Sequence, residues 1–265
     1  METFVFALAA EPGRESEDAC ALGDGVAVVV DGAGLPKSSR RGCGHAVAWY
    51  ARMLAEAFRV RLSDRATSMT DALGAAIAEV TASHADVCDL DRGSPSATVA
   101  AWRITGDTVE HLVLCDASIV LIDADGQPRE VTDDRIDVAV RTRADALAAE
   151  AGLAEAPAEM RFAALDQMRN VDGGFWCAHT NPDAGQHALT GRTPLADLRA
   201  IVAASDGGTR GFQRFGTHSL ARFADLASDG RLAEIATEIR AADDAAGTLP
   251  FTKPHDDIAL VVRSF

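Results

Sequence analysis

The stretch SATVAAWRITGDTVEHLVLCDASIVLIDADGQPREVT, residues 96–132, decides how the rest of the chain is read. Short apolar runs at 97–104, 109–114, 118–123 and 129–132 predict four successive strands. Gly106-Asp107 and Asp125-Gly126 fall between them and supply hairpin turns. Upstream, Thr3 to Ala9 alternates weakly, and GVAVVV at 25–30 is a buried run that ends at Asp31-Gly32. Helical spacing of Val47, Tyr50, Ala51, Leu54 and Phe58 predicts a helix over 44–60, and Leu73, Ile77, Val80 and His84 mark a second over 69–88. Downstream, helical spacing recurs at 144–150, 158–168, 218–227 and 231–242, with strands predicted at 174–179, 198–204 and 258–262. Strands linked by hairpins, with helices in pairs before and after, give an antiparallel α+β layered domain rather than βαβ crossovers. No repeat or long linker interrupts residues 1–265, which are read as a single domain.

Composition narrows the chemistry. The formal net charge is -15, which argues against a nucleic-acid partner, since phosphate backbones are gripped by clustered Lys and Arg. Apolar residues make up 48% of the chain and spread along its whole length, so it is not an acidic disordered protein. No run approaches the ~20 apolar residues that span a bilayer. METFVFALAA lacks the basic start of a signal peptide, and the protein is expected in the cytoplasm. Lysine is scarce while arginine and alanine abound, which points to a GC-rich bacterial genome. The five cysteines form no CxxC pair, so they are expected to be small buried hydrophobes and not zinc ligands. An acidic protein that admits phosphorylated substrates needs local neutralisation, and divalent cations supply it.

With 40 acidic residues, a single Asp-Gly is usually a turn; position is what singles out four places. Glu17-Asp18 precedes the first buried strand. Asp31-Gly32 ends it. Ser205-Asp206-Gly207 ends the apolar run IVAAS, and His255-Asp256-Asp257 opens the strand IALVV. Carboxylates at strand ends can converge on one sheet edge, where their repulsion calls for cations. Oxygen-only ligands suit Mg²⁺ or Mn²⁺ better than zinc.

In this order, R-x-x-ED, then hhhDGxG, SATV with hhxxDxS, hhxSDG and DDhxhhh, the chain resembles the type 2C, metal-dependent serine/threonine protein phosphatases from Arg14 to Val262. The resemblance implies an α-β-β-α sandwich of two mostly antiparallel sheets flanked by helices. It also implies two metal ions, Mn²⁺ or Mg²⁺. Asp31 would bridge them, and the Gly32 carbonyl would complete one shell. Asp206 and Asp256 would bind the first ion, and Glu17, with Asp18 beside it, the second. Water activated between the ions would attack the phosphoester of a phosphorylated protein in line. Arg14 would hold the phosphate.

Three positions depart from the family pattern. Ala33 follows Asp31-Gly32 and offers no general acid. Arg14 stands one residue too close to the acidic pair. The family's G-D-S is Cys115-Asp116-Ala117 here. His255 beside Asp256 is a candidate replacement acid, and Asp91 a candidate for a third ion. A catalytically weak domain that binds a phosphorylated or regulatory partner is the alternative implied by these departures, and a small-metabolite phosphatase a further one. Haloacid-dehalogenase chemistry loses its second aspartate at Ala33, and neither G-x-S-x-G nor a Walker lysine is present.

Overall fold

The computed structural model describes residues 2–33, 42–247 and 254–265; Gly34, the last residue of the DGxG match, and Leu35 after it lie outside them. Among the described residues, ten strands form two five-stranded sheets. One has the order β1 (Thr3–Leu8), β10 (Ile258–Ser264), β9 (Leu198–Ala204), β6 (Ser118–Asp123), β7 (Pro128–Thr132). The other runs β2 (Ala19–Gly23), β3 (Val26–Ala33), β4 (Ser96–Thr105), β5 (Thr108–Leu114), β8 (Leu189–Pro194). Every neighbouring pair is antiparallel. The hairpin reading of 96–132 therefore holds, with one refinement: the β5–β6 connection crosses from one sheet to the other.

Side-chain alternation builds the layers. On β3, Val26, Val28 and Val30 point to a core shared with α1 (Val47–Leu62) and α2 (Met69–His84). Ala27 and Val29 point the other way, into the interface between the sheets with Ile119, Ile201 and Val261. A third core, around Phe223, Ile235 and Ile239, packs α6 (Leu220–Ser228) and α7 (Leu232–Ala246) on the far sheet. A strand covered on both faces has no polar side, which is why GVAVVV reads as an unbroken apolar run. Two more helices, α3 (Arg135–Glu150) and α4 (Ala158–Met168), pair beside the sandwich around Ala144, Ala148 and Ala164. Between β9 and α6, a short α5 (Asp206–Arg210) runs into a π turn at Gly211–Phe215.

Residues 174–179 do not form the expected strand; they touch the sheet through a single bridge, Ala97 to Ala178. Phe175 and Cys177 are buried against Cys115 there, and the Cys177 amide donates to Asn170 Oδ1 (2.8 Å) instead of joining a ladder. No helix among the described residues is long and apolar enough to cross a membrane.

Candidate active site

Topology explains why distant aspartates meet. Because β2 and β3 are antiparallel, Asp18, just before β2, lies at the same edge as Asp31 near the end of β3. β10 and β9 are antiparallel as well, which brings Asp256, ahead of β10, beside Asp206, after β9. Asp116 sits in the β5–β6 crossover, at the end of one strand and the start of the next. All five carboxylates thus come to one rim of the two-sheet sandwich.

Two glycines permit the approach. A Cβ on Gly32 would lie 2.4 Å from the Glu17 carbonyl oxygen and 2.5 Å from Val47 Cγ1. A Cβ on Gly207 would lie 1.8 Å from the Asp257 carbonyl oxygen. Each D-G pair therefore carries its glycine because another backbone passes directly over it.

Hydrogen bonds fix the rim. The Asp206 amide donates to Asp31 Oδ2 (3.2 Å). Asp257 is buried and works on the backbone: its carboxylate accepts from the amides of Ala10 (2.8 Å) and Glu17 (3.1 Å). Ser205 exchanges bonds with Ala259, its amide donating to the Ala259 carbonyl (3.0 Å) and its Oγ accepting from the Ala259 amide (2.9 Å). The Ser205 side chain also hydrogen-bonds Asp18.

The electrostatics are those of crowded acids. Burial, and then the fields of Asp18, Asp206, Asp256 and Asp116, push the Asp31 carboxyl well above its ordinary range. Asp18 is raised by burial too, against the Ser205 hydrogen bond, with Asp206, Asp257 and Asp256 adding to the rise. Asp116 is pushed up to about 7, first by burial and then by Asp206. One buried oxygen, Asp18 Oδ2, has no hydrogen-bond partner. An orphaned carboxylate oxygen among like charges is the donor set a hard divalent cation requires. The residues fit such ions.

Of the acidic pair, Asp18 enters the cluster, while Glu17 is held by its amide and lines a cavity of about 250 Å³ with Arg14, His255 and Asp257. Arg14 is exposed there and pairs with Glu11 (3.1 Å). His255 pairs through Nε2 with Asp244 on α7 (2.9 Å). Asp256 meets a cation of the protein's own: Arg210 Nη1 lies 3.3 Å from its Oδ2, while Nη2 of the same buried guanidinium lies 3.5 Å from Asp243. Asp116 and Asp206 also line a cleft of about 700 Å³ with Glu130, Asp137, Arg210 and Arg214. Asp91 is exposed, on a single 3₁₀ turn (Leu90–Arg92), and is not among the charges that chiefly raise Asp31, Asp18 or Asp116.

Asp116 is the member that sequence reading passed over. The family's glycine precedes it; Cys115 stands there with φ of 66°, the left-handed region that favours glycine. The backbone keeps the glycine conformation although the residue has changed, so Asp116 still reaches the rim.

The cysteines do not all pack among apolar side chains. Cys115 and Cys177 are buried as expected, but Cys43 and Cys88 lie with their Sγ atoms 3.3 Å apart, beside His45 and His84. Two local pairs, Cys43-x-His45 and His84-x₃-Cys88, carried the signal.

The family model of protein phosphatase 2C matches residues 10–238. No protein among the curated ones matches. Among solved structures, the serine/threonine phosphatase Stp1 of Staphylococcus aureus is 12% identical, with 100% of this chain and 94% of that one covered at a TM-score of 0.58. The serine/threonine phosphatase PstP/Ppp of Mycobacterium tuberculosis is 14% identical over 98% and 97%, TM-score 0.58. PppA, a regulatory component of type VI secretion in Pseudomonas aeruginosa, is 15% identical over 100% and 97%, TM-score 0.59. At these identities the likeness is one of fold.

Proposed function

Since this chain belongs to the protein phosphatase 2C family, we propose that it hydrolyses phosphoserine and phosphothreonine esters on cytoplasmic proteins, as one catalytic domain over residues 1–265. The observation that carries this reading is the convergence of Asp18, Asp31, Asp206, Asp256 and Asp116 at one rim, with Asp18 Oδ2 unpartnered. Asp31, with Asp206, Asp256 and the Gly32 carbonyl on one side and Glu17 and Asp18 on the other, would hold two Mn²⁺ or Mg²⁺ ions. The PstP catalytic domain was solved in complex with two manganese ions. A third ion would use Asp116 and Asp206, in place of Asp91. When bound, such ions lower the pKa of water to make a nucleophile near neutral pH and offset the charge of the phosphoryl group.

The chain's own residues do the rest. Asp257 pins the 10–17 loop by two amides and so fixes both Asp18 and the base of the Arg14 side chain. Arg14 reaches over the cavity it shares with Glu17 and offers a forked donor to phosphate. His255, on the same cavity and paired with Asp244, would hand a proton to the leaving oxygen. Arg210 holds Asp256 from behind, which limits where that carboxylate can swing.

The Arg210–Asp256 pair also favours a second reading, a domain that binds phosphorylated partners but turns them over slowly because its own cation competes for a ligand. Turnover separates the two. With saturating Mn²⁺, an aryl phosphate and a phosphopeptide panel should be hydrolysed, and Asp206→Asn should lower kcat at least ~100-fold while the fold persists. Tight phosphopeptide binding without turnover would establish the second reading. Calorimetry showing no divalent binding at millimolar concentration would reject the first.

A further inference from the structure

Away from the acidic rim, two loops bring a different set of ligands together. Cys43 and His45 stand on the segment leading into α1; His84 is the last residue of α2, and Cys88 follows one turn later. Cys43 Sγ lies 3.4 Å from His45 Nδ1, 3.5 Å from His84 Nδ1 and 3.3 Å from Cys88 Sγ, and Cys88 Sγ lies 3.4 Å from His45 Nδ1. One donor atom from each residue falls within 4.8 Å of all the others. Tetrahedral zinc, with Zn–S of about 2.3 Å and Zn–N of about 2.0 Å, spaces its ligands roughly 3.3–3.8 Å apart. The thiol sulfurs are too distant for the ~2.05 Å of a disulfide.

Packing around the four side chains tells the same story. His84 is 1% exposed, and its Nε2 has no hydrogen-bond partner. As a core histidine it is poorly satisfied, with only a thiol near Nδ1, whereas ligation gives that nitrogen a strong bond. Trp49 lies against both rings, stacked on His45 at 4.0 Å and edge-to-face with His84 at 5.2 Å, which shields the cluster from water. The backbones are already locked together beside it. The Gly42 amide donates to Arg92 (3.1 Å) and the Asp89 amide to Gly42 (2.9 Å), and a Cβ on Gly42 would sit 1.8 Å from the Asp89 carbonyl oxygen.

We propose that Cys43, His45, His84 and Cys88 form a structural zinc site that clamps the segment ahead of α1 to the C-terminal end of α2. Two thiolates and two neutral imidazoles give Zn²⁺ a closed, electrically neutral shell, and binding releases the two thiol protons. Nitrogen and sulfur donors select zinc here, as oxygen donors select Mn²⁺ or Mg²⁺ at the rim, so one chain can hold both without exchange. The clamp sits on the connection between β3, which carries Asp31, and α1, which packs against it; it braces the rim without touching substrate.

Cobalt supplies the test. Reduced full-length protein, stripped of metal and titrated with Co²⁺, should take up one equivalent with the strong visible absorption of tetrahedral cobalt and a thiolate-to-cobalt charge-transfer band. Oxygen ligands at the rim give no such band, so this readout is independent of phosphatase activity. Cys88→Ser, at the half-buried end of the cluster, should abolish the band while Mn²⁺ binding survives, and zinc should displace cobalt stoichiometrically. The proposal is overturned if the reduced wild-type protein shows no charge-transfer band. It is equally overturned if Cys88→Ser and His45→Ala both keep the wild-type spectrum, or if thiol counting and mass show Cys43 and Cys88 joined as a disulfide in protein purified without reductant and refractory to zinc after reduction.

Discussion

Removing one charge from the rim should strengthen the protein when metal is absent. In the folded, metal-free protein the half-buried Asp116 carboxyl is pushed from its ordinary 3.8 up to about 7, first by loss of solvent and then by the charge of Asp206. A carboxyl whose folded pKa is raised contributes stability that is fully present below pH 3.8 and is lost as the pH climbs through about 7. Each pH step in which only the unfolded state has ionised weakens the fold by 1.36 kcal/mol, so the whole interval is worth at most about 4 kcal/mol. Asp116→Asn cannot ionise. Dialysed free of divalent ions, it should match the wild type near pH 4 and exceed it at pH 8 by up to about 4 kcal/mol. Urea unfolding followed by circular dichroism at several pH values measures the difference, and Mn²⁺ should close the gap by restoring the wild type preferentially. Parallel pH profiles for the two proteins would refute the crowding of acids on which the whole site assignment depends.

Other positions give independent tests. Arg14→Ala should raise KM for a phosphopeptide more than it lowers kcat and leave Mn²⁺ affinity alone; an unchanged KM in steady-state kinetics would remove Arg14 from phosphate binding. Gly207→Ala should destabilise by about 1–3 kcal/mol, since its Cβ meets the Asp257 oxygen at 1.8 Å, and should weaken Mn²⁺ binding by displacing Asp256 and Asp206; thermal melts with and without Mn²⁺ read both effects. Burial, followed by the charge of Arg129, lowers His111 to about 4, so the stability from its neutral ring is present above pH 6.5 and drains away as the pH falls. His111→Leu should lack that acid-side loss, of the order of 2 kcal/mol by pH 5, in urea unfolding at matched pH.

Much of the architecture was legible because the central strands announce themselves. β3, β4 and β10 are apolar on both faces, and no other local structure explains runs like GVAVVV and IALVV so simply. The strands that escaped, β2 and β8, are the outer strands of their sheet. Their sequences, ACALG and LTGRTP, place only Ala19 in the buried class and mix exposed with half-buried positions elsewhere, so pairing partners and not composition make them strands. Segment 174–179 misled for the opposite reason: it is buried, but as an insert that plugs the space beside Cys115. At the rim, Asp31, Asp206 and Asp256 could be read because each abuts a recognisable strand, while Asp18, ahead of the unrecognised β2, was legible only through the R-x-x-ED match. The reach of Asp116 depends on a left-handed cysteine that no pattern anticipates. The thiol and imidazole cluster contains no CxxC: its two local pairs, Cys43-x-His45 and His84-x₃-Cys88, meet only once α1 and α2 have packed.

The position of β10 has a consequence for how the molecule comes into being. Every strand of the sheet β2-β3-β4-β5-β8 has its partners within residues 19–194, so that half can assemble while synthesis is still under way. β10 instead lies between β1 and β9, pairing Thr3 with Arg263 and Ala204 with Leu260. Until residues 258–264 leave the ribosome, β1 has no neighbour and one edge of β9 is open to strangers. Asp256 arrives with that same segment. A nascent or clipped chain can therefore carry Asp31 and Asp206 in place and still lack Asp256, so the rim is complete only where β1 and β10 have paired.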